Sequence, residues 1–270
     1  MPESLIPSAG WTVSHWFYRL DRACWRELSG ETRVAAVTEA QSWLAAVLGE
    51  EGMQLVTLGL VGKGDLGILA VHPDLRRHQQ LGQEIAATAL GSCLTPVYSF
   101  LSISEVSEYV TSDADWARVL IEERKVDPAS PEFATRMEAF RKRMAAYGES
   151  RLYPELPEDK PIVCFYPMAK ARGEQRNWYT LAFEQRKKLM QGHGDAGRRH
   201  AGRVTQLVTS ATGIDDWEWG VTLFSRDLKA IRDVVYEMRF DPGSALYGLF
   251  GPFYVGVRFA PEELASVLRL

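Results

Sequence analysis

His193 stands between Gly192 and Gly194 in the stretch QGHGDAG, just after the apolar-periodic segment TLAFEQRKKLM. A glycine inside a helix costs about 1 kcal/mol relative to alanine, so two of them around one imidazole need a reason. Two reasons are open. The helix ends there in a glycine turn, or a bulky flat group comes close to the backbone and the imidazole serves as ligand to a metal or to the iron of a macrocycle. Leu189 and Met190, one turn back, would wall such a site. His200, seven residues on, could share the same helical face, but no HExxH-like spacing supplies further zinc ligands.

The stretch CFYPMAK is the second place where chemistry could reside. In a strand alternate side chains share a face, so Tyr166, Met168 and Lys170 point together and Phe165 and Pro167 point away. A phenol and an ammonium would then face one space; the plainer alternative is a half-buried tyrosine beside a solvated lysine. Trp178, Trp217 and Trp219 concentrate in the same half of the chain, where large aromatics ordinarily build core. Arg151, Arg203 and Arg239 could hold an anionic ligand or be ordinary surface arginines. Neither a GxGxxG, a P-loop nor a nucleophile elbow occurs.

Elements that could position these residues follow an order that repeats. A strand-like run, WTVSHWFYRL, precedes a helical pattern carrying Val34, Val37, Leu44 and Leu48. QLVTLGLVG and LGILAVH come next, then an amphipathic stretch opened by PDLRR and the strand-like PVYSFLSISEV. After residue 160 the same β-α-β-β-α-β order returns, from PIVCFYPM to PFYVGVRF, with a helix carrying Leu228, Ile231, Val235 and Met238. GDLGILAVHPDL and DDWEWGVTLFSRDL both run from an acidic turn through a strand to Asp-Leu at a helix start. The pattern predicts an α+β fold of two tandem ferredoxin-like βαββαβ units of the dimeric α+β barrel type. Residues 1–110 form the first unit and 161–270 the second. Residues 111–160 form a connector with a helix from Pro131 behind a Ser130 cap, then the proline-rich RLYPELPEDKP.

The whole chain narrows the function classes. Its 270 residues are 46% hydrophobic, enough for a sizeable core. A formal charge of −4 argues against a general nucleic-acid or membrane-surface binder. The strands also lack the basic-aromatic interleaving of RNA-recognition sheets, so no nucleic-acid partner is expected. Cys24, Cys93 and Cys164 are widely spaced, which indicates neither a disulfide framework nor a cysteine metal site and fits a reducing cytoplasm. The N-terminal stretch does not read as a secretion signal, and no apolar run is long enough to predict a membrane span.

Taken together, RLYPELP, CFYPMAK, NWY, HGDAGRRHAGRVTQ, DDWEWGVTLF and YEMRFDPGSALYGLFGPFYVG resemble the chlorite dismutase family, and more narrowly its coproheme decarboxylase branch. The resemblance is dense over residues 151–258 and looser before them. It implies that His193 is the proximal iron ligand and that Tyr166 is a redox-active tyrosine with Lys170 beside it. It places Arg151, Arg239 and Ser244 near the propionates, and Met168, Trp178 and Gln206 around the ring. The implied cofactor is iron-coproporphyrin III, substrate and redox group at once, with hydrogen peroxide as co-substrate and haem b as product; family members form rings of five subunits. Members that decompose chlorite carry a distal arginine where this chain has Gln206, and a neutral amide holds an oxyanion less well. Leu246 stands where a basic residue is expected, with Arg199 and Arg203 as conceivable substitutes. A haem sensor or carrier without turnover is the alternative from another class.

Overall fold

The computed structural model describes residues 4–270. In the first unit β1 (Thr12–Leu20) leads through α1 (Arg22–Glu27) and α2 (Gly30–Leu48) to β2 (Gln54–Leu60) and β3 (Leu66–His72). Helix α3 (Leu75–Ala87) and β4 (Leu94–Ser104) complete it. The connector holds α4 (Asp113–Arg118), a π turn over Val119–Glu123 and α5 (Pro131–Leu152). Ser130 caps α5 by accepting from the Phe133 amide at 3.2 Å. The second unit runs β5 (Ile162–Lys170), α6 (Phe183–Arg199), β6 (Val204–Ser210), β7 (Trp219–Ser225) and α7 (Leu228–Met238). It closes with α8 (Pro242–Tyr247), β8 (Gly248–Phe250), β9 (Tyr254–Arg258) and α9 (Leu264–Leu268).

The matching Asp-Leu pairs have matching jobs. Asp74 accepts from the Arg76 amide at the start of α3, and Asp227 from the Lys229 amide at the start of α7, each at 2.9 Å. Both satisfy N–H groups that a helix start leaves without partners. Each unit then has the ferredoxin-like strand order, β4-β1-β3-β2 and β9-β5-β7-β6. The two sheets do not stand apart: β2 pairs β9 and β4 pairs β6, which closes eight antiparallel strands into one barrel. Closure removes the exposed edges that each sheet would present alone.

Inward side chains fill the barrel, among them Val13, Phe17, Phe100, Phe165, Leu207 and Phe224. Outward residues of the first unit pack under α2 and α3, and those of the second under α7. The stripe that α2 buries is Ala36, Ala40, Leu44 and Val47, not the Val34–Leu48 face that its larger residues suggest; Val34 is 69% exposed. Small residues face inward there because the helix lies close on the sheet. Phe259, Leu264 and Leu268, from the far end of the chain, join the first unit's core.

Contrary to the expectation from spacing, Cys24 and Cys93 form a disulfide. The barrel sets α1 beside the turn that precedes β4, and the Asp21 amide already donates to the Cys93 carbonyl at 2.8 Å. A separation of 69 residues hides that proximity in the sequence. Closing a loop of that length should stabilise the fold by about 2–4 kcal/mol. The double variant Cys24→Ala, Cys93→Ala should lose this in urea unfolding, and reductant should reproduce the loss in wild type without affecting the variant. Equal stability of the two proteins under oxidising conditions would contradict it.

His15 lies inside the barrel, 2% exposed, stacked 4.0 Å from Phe165 and within 2.8 Å of Thr222 Oγ1. Burial pushes its imidazole down from 6.5 to about 3. The unfolded chain therefore takes up a proton below pH 6.5 that the folded chain refuses, so stability is complete above 6.5 and falls as pH drops toward 3. Between pH 7 and pH 5 this group should cost about 2 kcal/mol. His78, pushed down to about 4, adds a similar slope. Urea midpoints at the two pH values check the point: His15→Gln should show a shallower loss than wild type, and an unchanged loss would sink the assignment.

Candidate functional site

One interruption in the pairing of β5 sets up the site. On one side β5 pairs β7 from Ile162 to Met168. On the other it pairs β9 over Ile162–Phe165 and β8 over Met168–Lys170. The change occurs at Tyr166–Pro167, where proline has no N–H to give and its carbonyl accepts from the Gly251 amide at 2.9 Å. A Cβ on Gly251 would lie 2.7 Å from Pro167 Cγ and 3.0 Å from Trp217, so only glycine fits. The FYPM and FGPF words are two sides of one junction.

That junction turns Tyr166, Met168 and Lys170 into a cavity of about 1000 Å³, on one face of the strand as their spacing requires. Gln206 and Val208 of β6 and Trp219 and Val221 of β7 continue the wall. From α6, Arg186, Met190, His193 and Gly194 face the same space at helical spacing. The helix does not end at the glycines: α6 continues to Arg199 and holds Gly192, Gly194 and Gly197 in its interior. A Cβ on Gly197 would lie 3.3 Å from Met238 Cε, so that glycine lets α6 lie close to α7, whereas one on Gly192 would make an ordinary contact, 3.5 Å from Asp241 Oδ1.

His193 is oriented from behind. Its Nδ1 lies 3.3 Å from Asp241 Oδ2 and 3.2 Å from Ser244 Oγ. Asp241 is held in turn as the N-cap of α8, accepting from the Ser244 amide at 3.0 Å, with Pro242 at the first helical position. With Nδ1–H donating to the carboxylate, the Nε2 lone pair is left for a ligand. Burial holds the imidazole below its ordinary value against the pull of Asp241, so it is neutral at pH 7. Leu189 faces Gly243 of α8, and Met190 alone of that pair walls the cavity. His200 is committed elsewhere, its Nε2 2.6 Å from Glu237 Oε2.

Tyr166 is 4% exposed and stacks 4.4 Å from Phe253. Burial raises its phenol above the ordinary range, which keeps the O–H intact at physiological pH. The Lys170 ammonium lies 4.3 Å over the Trp178 ring and 3.4 Å from the Gly243 carbonyl. Burial pushes it down to about 8, against the opposing pull of Asp241 and Glu218. It can therefore give up or accept a proton near neutral pH. Trp178 and Trp219 thus line a cavity, and only Trp217 packs into the barrel cluster.

The positive side chains divide. Arg151 lines the cavity, donating from Nη2 to the Val208 carbonyl at 3.3 Å while its buried Nε has no hydrogen-bond partner among the described residues. Ser244 lines it too. Arg239 does not line it; its guanidinium sits 3.9 Å over the Phe250 ring, one residue layer behind Tyr166. Arg199 pairs Glu237 and Arg203 lies near Asp227 and Asp233, so neither substitutes for a base at the exposed Leu246. Two features of the site lie outside the residues singled out above: Asp241, and residues 105–111, which line the cavity. The Asp-Pro-x-Ser capping pattern of DPGS was the available sign for the first; the second carries none.

The arrangement is that of a large, partly apolar cavity with a neutral, carboxylate-backed imidazole on one side and a buried phenol on another. The chlorite dismutase family model matches residues 33–259. A protein of Natronomonas pharaonis is 36% identical over 99% of this chain and 42% of its own, and one of Halobacterium salinarum is 38% identical over 96% and 49%. Both bear the name "Putative heme-binding protein". The chain spans less than half the length of these relatives. Among solved structures, a heme-binding protein of Thermus thermophilus superposes with a TM-score of 0.80 at 36% identity, covering 99% of this chain and 100% of that one. Chlorite dismutase of Candidatus Nitrospira defluvii shares the fold, with a TM-score of 0.71 at 19% identity over 97% and 95% of the two chains. By the family match and the length of chain it covers, this protein belongs to the chlorite dismutase family.

Proposed function

We propose that the chain binds haem-type tetrapyrroles through His193, and that it is a peroxide-dependent decarboxylase of iron-coproporphyrin III that yields haem b. The observation that carries the reading is the pairing, in one cavity, of a carboxylate-backed imidazole with the buried phenol of Tyr166 and the low-pKa ammonium of Lys170. A cavity of about 1000 Å³ is at the upper end for small-molecule sites and suits a macrocycle. The bound iron would supply the two-electron reduction of hydrogen peroxide to water. In balance, each propionic acid group and one peroxide give a vinyl group, carbon dioxide and two waters.

The protein's part is orientation and proton and electron traffic. His193 holds the iron by Nε2, and Asp241 keeps the imidazole basic and in one tautomer. Tyr166 would give up its phenolic hydrogen to the first of the two oxidising equivalents that peroxide supplies and then take one from the propionate β-carbon; the second equivalent would remove the electron left on that carbon, and the carboxyl group would leave as carbon dioxide. Lys170 positions a carboxylate or moves its proton, and Arg151 offers a charged donor to another. Gln206 presents a neutral amide, which disfavours chlorite turnover.

Mass spectrometry of the porphyrin after coproheme and peroxide are added tests the reading: loss of two carboxyl groups supports it. A carrier would return coproheme unchanged, and a chlorite-decomposing enzyme would release oxygen rapidly from chlorite. We propose further a homopentamer, checked by its mass in solution; among the described residues no helix is long and apolar enough to cross a membrane.

A further inference from the structure

Two turns before His193, on the same face of α6, Arg186 lines the cavity. Seven residues at 1.5 Å each separate the two by about 10.5 Å along the axis. The guanidinium is fixed on two edges. Nε donates to Tyr109 Oη at 3.1 Å and Nη1 to the Leu181 carbonyl at 2.8 Å. Tyr109 is wedged between Trp178 and Phe183, so this mount is itself packed. Among the described residues the remaining nitrogen, Nη2, meets only a distant acid: Glu108 Oε2 at 3.9 Å, on a side chain 58% exposed where that of Arg186 is 19%. The next residue shows what a settled pair looks like here. Lys187 contacts Asp115 closely, and that carboxylate also accepts from the Ser112 hydroxyl and amide.

A guanidinium oriented by two neutral acceptors, with its last donor held loosely by a surface carboxylate, is a preorganised carboxylate site with a weak occupant. We propose that Arg186 recognises a peripheral carboxylate of the tetrapyrrole, and that Glu108 is its stand-in, displaced when substrate arrives. This rests on the tetrapyrrole reading of the cavity and adds a specificity-determining residue to it.

The test uses metal-free coproporphyrin III, which removes the iron bond to His193 and leaves carboxylate recognition. Affinity is read from quenching of tryptophan fluorescence in the full chain. Arg186→Gln should weaken binding by about tenfold, or about 1.4 kcal/mol. Glu108→Gln should tighten it by about twofold to fivefold, the range of an exposed ion pair that no longer competes. The second effect should vanish in the Arg186→Gln background, because the two residues act through one contact. Arg186→Lys should recover part of the loss. Thermal unfolding of each variant identifies a merely structural strut: in that case both substitutions lower the midpoint and neither tightens binding, and the proposal falls. Failure of the wild-type protein to bind the porphyrin at all would remove the tetrapyrrole reading as well.

Discussion

Tyr166→Phe should bind coproheme normally and fail to convert it. Phenylalanine keeps the ring that stacks on Phe253 and the burial of the site, and lacks only the oxidisable O–H. The described residues give that hydroxyl no hydrogen bond, so its removal leaves no protein group stranded. Were its role a single hydrogen bond to a substrate carboxylate, the loss would be about 0.5–1.5 kcal/mol, or up to about 3 with a charged partner. That range corresponds to a slowing of at most about 200-fold. An oxidant role predicts a larger loss with occupancy unchanged. Absorbance confirms loading, peroxide is added, and the carboxyl groups lost are counted by mass. Conversion within about 200-fold of wild type would eliminate the redox role and with it the main support for this mechanism.

What could be read in advance was what local patterns encode. The β-α-β-β-α-β order, the Asp74 and Asp227 caps and the common face of Tyr166, Met168 and Lys170 each depend on residues within one or two elements. The barrel type is among the expectations, but its seams, Leu58–Leu60 meeting Gly256–Arg258 and Ile103 and Ser104 meeting Ser210 and Thr209, are not. Alternation shows which face of a strand is apolar and is silent about which edge it will meet. The Cys24–Cys93 disulfide and the His193–Asp241 contact fail to show for the same reason, since each joins residues brought together only by the folded barrel. Val34 misled because residue size was taken for burial, whereas close helix–sheet packing selected Ala36 and Ala40. Gly192 and Gly194 leave open whether the helix ends there, and α6 running on to Arg199 excludes that. Their cost in propensity is local, whereas the close approach of α6 to Met238, which the third glycine, Gly197, serves, is tertiary.

His193→Ala should abolish ligation of a bound iron without unfolding the chain. Alanine is the strongest helix former, and at a position flanked by glycines it stabilises α6, so a loss of ligation cannot be assigned to melting of the helix. The spectrum of the haem-loaded variant should lose the imidazole signature, and affinity should fall sharply. His200→Ala, which breaks a contact to Glu237 outside the cavity, should leave that spectrum as in wild type. Asp241→Asn separates ligation from tuning. Asparagine caps a helix as well as aspartate does, so α8 and the Ser244 amide keep their partner. Only the negative charge behind Nδ1 is removed, and the imidazole becomes a poorer electron donor. Changes of this kind behind a metal ligand cost about 10–100-fold in affinity or activity. Asp241→Asn should therefore keep a histidine-ligated spectrum, raise the reduction potential of the bound iron and slow decarboxylation within that range. A wild-type potential in Asp241→Asn would show that the carboxylate only caps α8. An imidazole signature that survived His193→Ala and vanished in His200→Ala would move the ligand to the other histidine.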